Sequence, residues 1–214
     1  MRERLLVYGA GGHAKVVADA AGSAGFDVLG FLDADPAKAG TSLLGLSVFP
    51  ADEQEAASVC RDKQASVVVA VGSNAARKRI YETLRDGGVP VATIVHARAV
   101  VAPSASLGEG TVVFAGVVIN PDTRVGCNVI LNTSVSVDHD NQIGDHAHLS
   151  PGVHTGGTVV VGEGTHVGIG ATVRNNIVIG SWSVVGAGSV VVRDVLDRVV
   201  AFGVPARVVR ATGQ

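Results

Sequence analysis

The residues best suited to chemistry in this chain are histidines, and five of its seven fall between positions 139 and 166: His139, His146, His148, His154 and His166. His139 stands in Val137-Asp138-His139-Asp140-Asn141, the most polar stretch of an otherwise apolar segment. A histidine flanked by carboxylates is the arrangement a general base needs. The carboxylate fixes the tautomer and raises the basicity of the imidazole, which places its pKa near working pH. A solvated acidic turn is the plainer reading of the same residues. His148 and His166 are separated by three six-residue units, which sets them at one corner of adjacent coils if three such units make a turn. His146 and His154 read as exposed polar surface. Gly156-Gly157, Gly168-Ile169-Gly170 and Gly186-Ala187-Gly188 would leave backbone amides bare to an extended ligand, although turn geometry alone also explains such glycines.

A second candidate site lies near the start. Gly9-Ala10-Gly11-Gly12-His13-Ala14 follows an apolar strand and opens a helix, giving the G-x-G-x-x-A form of the dinucleotide fingerprint. Such glycines bring backbone amides to phosphate at a helix N-terminus, where the dipole favours the anion. Asp33 follows Gly11 at about the spacing of a ribose-binding carboxylate. A tight turn that binds nothing would look similar. Arg77, Lys78 and Arg79 form either a solvated basic face or a pyrophosphate contact.

The elements that must hold these residues are legible from periodicity. From Val101 to Val191, every sixth residue is Val, Ile or Leu in fifteen of sixteen positions, Thr155 being the exception. Roughly five would be expected by chance at this composition, and a six-residue period fits neither helix nor ordinary strand. It fits a parallel β-helix, in which the aliphatic residue points inward. Glycine follows eight of these positions, as at Gly126 and Gly144, where it is expected to let the backbone turn the corner. Before the hexads, strands are expected at Leu5–Tyr8, Phe26–Leu32, Ser66–Val71 and Val89–Val95. A helix is expected after Gly12 with Val16, Val17, Ala20 and Ala21 on one face, and others over Ala51–Ala57 and Ala75–Arg85. Pro36–Pro50 reads as loop. Strands alternating with helices imply a small parallel sheet. The division expected is 1–96 as an α/β nucleotide-binding domain and 97–214 as the β-helix with a C-terminal tail.

Composition excludes several classes. Charged residues make up 17% of the chain and the formal charge is −2, with no basic run, so nothing points to nucleic acid. Cys60 and Cys127 match no metal or redox spacing and read as reduced thiols of a cytoplasmic protein. No apolar run reaches about 18 residues, and the start does not read as a signal peptide, so no membrane partner is expected. A histidine cluster on a hexad coil also raises zinc. Gamma-class carbonic anhydrases use an H-x-x-x-x-H pair, which is missing from this sequence. An NAD-type oxidoreductase would need a longer sheet and would leave the hexads without a role. A non-catalytic nucleotide-sugar binding protein is disfavoured by His139 and Asp140.

The sequence resembles the hexapeptide-repeat sugar O-acyltransferases of bacteria, in their nucleotide-sugar N-acetyltransferase branch. The resemblance rests on Tyr8-Gly9-Ala10-Gly11-Gly12-His13, Phe31-Leu32-Asp33, Val71-Gly72-Ser73-Asn74 with Arg77-Lys78, Ile130-Leu131-Asn132-Thr133, Val137-Asp138-His139-Asp140, His148-Leu149-Ser150-Pro151-Gly152 and Gly203-Val204-Pro205-Ala206-Arg207. It implies a left-handed β-helix, a homotrimer, and acetyl transfer to the 4-amino group of a nucleotide-linked 4-amino-4,6-dideoxy sugar, with GDP-perosamine the nearest match. Acetyl-CoA is then a co-substrate, and no cofactor is held permanently. His139 is implied as the base and Asp140 as its support, where many relatives carry Glu. His148 is implied at the acetyl-CoA end, and Gly157, Ile169 and Ala187 along the pantetheine path, the last often Gly in relatives. Gly11, Gly12, His13, Asp33, Gly72 and Asn74 are implied to hold the nucleotide sugar. UDP- or dTDP-linked amino sugars, or O-acetylation of a sialic acid or other sugar hydroxyl, are the alternatives within the family.

Overall fold

The computed structural model describes residues Arg2–Gly213. The chain forms two compact units, residues 1–97 and 98–214. In the first, strand β1 (Arg4–Tyr8) is buried from Leu5 onward, as a strand covered on both faces must be. Helix α1 (Gly12–Ser23) packs on the sheet through Ala14, Val17, Ala18, Ala20 and Ala21, small side chains that permit close approach. Val16 is exposed, so the expected apolar face is rotated by one residue. Strand β2 (Asp27–Asp33) pairs parallel to β1.

The segment read as loop instead contains an antiparallel hairpin, β3 (Ser42–Leu43) and β4 (Leu46–Pro50). Leu44 and Gly45 at its tip both have left-handed φ, 51° and 77°. That is the primed turn a two-residue hairpin needs, and Leu in its first position hid it from the sequence. Helix α2 (Glu53–Lys63) starts on a reciprocal Asp52–Glu55 capping box and runs longer than expected. Strand β5 (Ser66–Val69) and helix α3 (Asn74–Asp86) follow. Sheet order is β3-β4-β2-β1-β5. The strand expected over Val89–Val95 shrinks to one bridge, Val67 with Val91, and a short piece at Ile94–Val95. Pro90 has no amide hydrogen with which to extend the ladder.

The second unit is a left-handed parallel β-helix of two-residue strands. Each strand pairs with the third strand after it, as Val118–Ile119 does with Ser136–Val137, so three hexads make a coil. The inward ladders are Val101–Ile119–Val137–Thr155–Val173–Val191, Leu107–Val125–Ile143–Val161–Ile179, and Val113–Leu131–Leu149–Val167–Val185–Ala201. Thr155 is buried with the aliphatics.

The corners turn differently from expectation. Left-handed φ recurs at every sixth residue from Gly110 to Gly188, and many of these are not glycine: Asp122, Asn128, Ser134, Asp140, His146, Thr158, Asn176 and Trp182. The glycines that follow the inward residues serve another purpose. A Cβ on Gly162 would lie 2.5 Å from the Ser181 nitrogen, and one on Gly144 2.7 Å from the Glu163 nitrogen, so these positions are bare because the next coil presses on them. At the C-terminus the chain does not trail off. Val199–Gly203 pairs with Val184–Val185, and Ala206–Ala211 folds back on it antiparallel. No helix among the described residues is long and apolar enough to cross a membrane.

Candidate functional site

In the β-helix, the corner after the Ser136–Val137 strand carries the polar cluster. Asp138 Oδ1 accepts the His139 amide and the Asn120 Nδ2, each at 2.8 Å. These two bonds hold the Asp138 carboxyl below its ordinary pKa. Asn141 is fully buried, and its Nδ2 donates to the carbonyls of Asp138 and Gly156 at 2.8 Å, which ties this corner to the next coil. On that fixed backbone, Asp140 occupies the left-handed position at φ 60°. Its Oδ2 lies 2.8 Å from His139 Nδ1. A carboxylate only accepts, so Nδ1 carries the proton and Nε2 is the basic atom. The His139 pKa is raised, first by the Asp140 hydrogen bond, which outweighs the opposing effect of desolvation, and further by the charges of Asp138 and Asp140. Both side chains are more than half exposed, at 58% and 57%. An ion pair so exposed adds little to stability, which points to its electrostatic effect on the ring instead.

The imidazole lies over Gly157. A Cβ there would stand 2.5 Å from both Cε1 and Nε2, so only glycine leaves the ring in this place. Around it runs an open groove of about 620 Å³, lined by Asp138, His139, His154, Thr172, Arg174, Asn175 and Asn176 among others. Arg174, Asn175 and Asn176 escaped the sequence reading. The three-hexad repeat of the coil would have found them, because they stand two coils above Asp138, His139 and Asp140. His154 faces the groove with Nδ1 2.7 Å from Ser136 Oγ.

The other expected acetyl-CoA residues lie elsewhere on the coil. Ile169 and Ala187 share a different corner, in the column where the Gly188 amide bonds the Ile169 carbonyl at 2.8 Å. Both are exposed. His148 pairs in register with His166 on the flat of a sheet, not at a corner, with ring centroids 4.8 Å apart. His146 is buried at a corner and bonded through Nδ1 to Asn128 Nδ2 at 2.9 Å, which corrects its reading as surface.

The first unit brings its expected residues to one edge. The loops after β1 and β5 leave neighbouring strands, and the chain winds away from β1 in opposite directions, so the crevice between them is a topological switch point. Gly11 caps α1 without a side-chain bond, and a Cβ on Gly11, Gly12 or Gly72 would meet nothing within 4 Å. Bare backbone thus fronts open space at the starts of α1 and α3. Gly9 is different: its φ of 110° and the Ala70 carbonyl, 2.8 Å from where a Cβ would sit, make it structural. Asp33 Oδ2 accepts from the Ala10 amide and Lys38 Nζ, each at 2.8 Å, and Oδ1 from the Asp35 amide at 2.9 Å. Burial alone would raise the Asp33 pKa, but these bonds outweigh it and lower it.

Arg77 is fully buried, contrary to the solvated face expected, with Nη1 2.8 Å from Asn74 Oδ1 and 3.3 Å from the Val71 carbonyl. Burial brings its pKa down to about 9, still charged at neutrality. Burial, with that charge nearby, pushes His13 down to about 4, so its ring is neutral. Tyr8 is pushed up to about 12, by burial first and then by Glu53, Asp33 and Asp52. No group of three His, Cys, Asp or Glu able to hold a metal ion occurs among the described residues.

Comparison with known proteins adds four likenesses. Residues 4–84 match the family model described as the PglD N-terminal domain. The whole chain is similar to PerB from Caulobacter crescentus, crystallised with CoA and GDP-perosamine, at 41% identity over 96% of each chain and a TM-score of 0.90. It is similar to the acetyltransferase domain of PglB from Neisseria gonorrhoeae, in complex with acetyl coenzyme A, at 34% identity over 98% of this chain and 100% of that one, with a TM-score of 0.89. WeeI from Acinetobacter baumannii shares the fold, at 24% identity and a TM-score of 0.82 over 97% of this chain and 100% of that one.

Proposed function

Because this chain belongs to the hexapeptide-repeat sugar acyltransferases, in their nucleotide-sugar N-acetyltransferase branch, we propose that it acetylates the 4-amino group of GDP-perosamine using acetyl-CoA as co-substrate. The observation that carries the chemistry is the His139 Nδ1–Asp140 Oδ2 contact of 2.8 Å beside an open polar groove. The amine nitrogen attacks the thioester carbonyl. His139 Nε2 takes the proton that the nitrogen must lose, and the C–S bond breaks. The imidazolium then returns a proton to the CoA thiolate, giving the amide, free CoA and a neutral base. Exposed backbone amides of the coil are suited to stabilise the oxyanion.

The work divides between the units. Residues 1–96 bind the nucleotide through Gly11, Gly12, His13, Asp33, Gly72 and Asn74, with neutral His13 and the charged Arg77 beside the phosphate-binding turn. Residues 97–214 carry out the transfer. His148, Gly157, Ile169 and Ala187 receive acetyl-CoA, with Gly157 also seating the imidazole. Within one β-helix the Ile169–Ala187 corner is not the His139 corner, which supports a homotrimer whose neighbouring copies join the two. Sedimentation would then return the mass of three 21.6 kDa chains, whereas a single-chain mass under assay conditions would refute it. A cytoplasmic enzyme that supplies acetylated sugars for O-antigen or other surface polysaccharide fits the substrate.

His139→Asn tests the reading. It should lower kcat by about 10²–10⁴-fold and leave the KM for acetyl-CoA within about twofold. A near wild-type kcat would mean that positioning alone carries the reaction.

A further inference from the structure

Asn141 is fully buried at the turn that carries His139. Its side-chain nitrogen meets three carbonyls, those of Asp138 and Gly156 at 2.8 Å and that of His139 at 3.2 Å. Only the donor end of an amide can face three acceptors, so its orientation is fixed. The other end, Oδ1, is buried without a hydrogen-bond partner. A buried acceptor left unpaired costs stability. Three other turns fill the same position without that cost. Thr111, Thr123 and Thr165 are equally buried, and each donates its hydroxyl to the carbonyl fifteen residues on, at 2.7, 2.7 and 2.6 Å. Asn141 makes the same tie to Gly156. Among the described residues, none of the three threonine side chains bonds a carbonyl of its own turn. The bonds to Asp138 and His139 are what asparagine adds.

Those two bonds fall on the peptides that flank His139. The Asp138–His139 peptide has its amide on Asp138 Oδ1 and its carbonyl on Asn141. The His139–Asp140 peptide has its amide on the Pro121 carbonyl at 3.1 Å. Its carbonyl is shared by Asn141 and the Thr158 amide, the latter at 2.9 Å. Both peptides are planar and each is held at both ends, which sets the direction in which the His139 side chain leaves the backbone. The imidazole is more than half exposed, so its place over Gly157 depends on that direction more than on packing. Through Gly156, the same amide nitrogen also holds the backbone on which the ring rests.

We infer that Asn141 is a positioning residue, which holds the backbone on both sides of His139 and the Gly156–Gly157 backbone beneath the ring in one arrangement. The inference rests on the reading of His139 as the base. Asn141 is buried and does not itself touch the reacting atoms. It acts on the rate through His139, and not on the binding of acetyl-CoA or of the nucleotide sugar.

The test is Asn141→Thr in the intact chain, assayed with acetyl-CoA and GDP-perosamine. Threonine keeps the tie to Gly156, as it does on the other three turns, and removes both the unpaired Oδ1 and the bonds to Asp138 and His139. The kcat should fall by about ten- to a hundredfold, with both KM values within about twofold of wild type. The thermal midpoint should hold or rise. A purely structural role predicts the reverse, a lower midpoint at unchanged kcat, which is the pattern expected of Thr111→Val, where the tie is lost on a different turn. His139→Asn is made alone and together with Asn141→Thr. If Asn141 acts through His139, the second change adds nothing to the first. A further fall in the double variant overturns the positioning role and leaves the reading of His139 standing. So does wild-type kcat in Asn141→Thr while His139→Asn is slow. Wild-type kcat in His139→Asn removes that reading and this inference with it. If Asn141→Thr fails to fold, Asn141→Ser carries the same comparisons, since Ser183 fills that position on another turn with its hydroxyl on the Leu196 carbonyl at 2.7 Å. If neither folds, Asn141 is structural and the role is wrong.

Discussion

An imidazole on a solvent-exposed corner is ordinary until its neighbours are considered. The raised pKa of His139 comes first from the Asp140 hydrogen bond, with the Asp138 and Asp140 charges adding to it. In the proposed mechanism the reactive form is the neutral ring, so the rate should rise with pH through that raised pKa and fall as pH drops below it. Asp140→Asn removes the charge that favours imidazolium. The acidic limb of the kcat/KM profile should then move to lower pH, while maximal kcat falls by at least about tenfold because the tautomer is no longer fixed. A limb that stays in place would show that Asp140 does not set the basicity of His139. The contact between these two side chains was legible from type and adjacency alone. Arg77 was not. Its burial depends on how α3 lies on the sheet, and Arg77 beside Lys78 and Arg79 reads as solvated until that packing is known.

At the scale of elements, the β-helix was legible because its period is a physical spacing: each inward aliphatic meets its counterpart one coil on, as Leu131 meets Leu149 and Leu149 meets Val167. What the period concealed was which residue turns the corner. Left-handed backbone tolerates Asn, Asp or Gly, and here also Thr158 and Trp182, so the turn position has no single residue type. The glycines beside the inward ladder are more regular because the constraint on them is steric. Gly162→Ala would set a Cβ against the Ser181 backbone at 2.5–2.7 Å and should destabilise the unit by about 1–3 kcal/mol. Gly170 has left-handed φ but open space around it, so Gly170→Asn should be nearly neutral. Denaturant midpoints of the two variants decide the matter. Equal losses would mean that backbone conformation, not contact between coils, is what these glycines supply.

For the whole molecule, the sequence leads one to expect a nucleotide-binding turn in one unit and a general base in the other. The structure adds an edge of bare backbone at the switch point of the first sheet and a polar groove on the second unit. The identity of the base in the nucleotide was not legible, because such contacts involve loop backbone that carries no residue signature. The measurement that bears most directly on the account is acetyl-CoA turnover by the intact chain on GDP-, UDP- and dTDP-linked 4-amino-4,6-dideoxy sugars, with a free sialic acid beside them. The account predicts the highest kcat/KM with GDP-perosamine and an amide at its 4-nitrogen as the product. Acetylation of the sialic acid hydroxyl, with no turnover of any nucleotide-linked amino sugar, would contradict it.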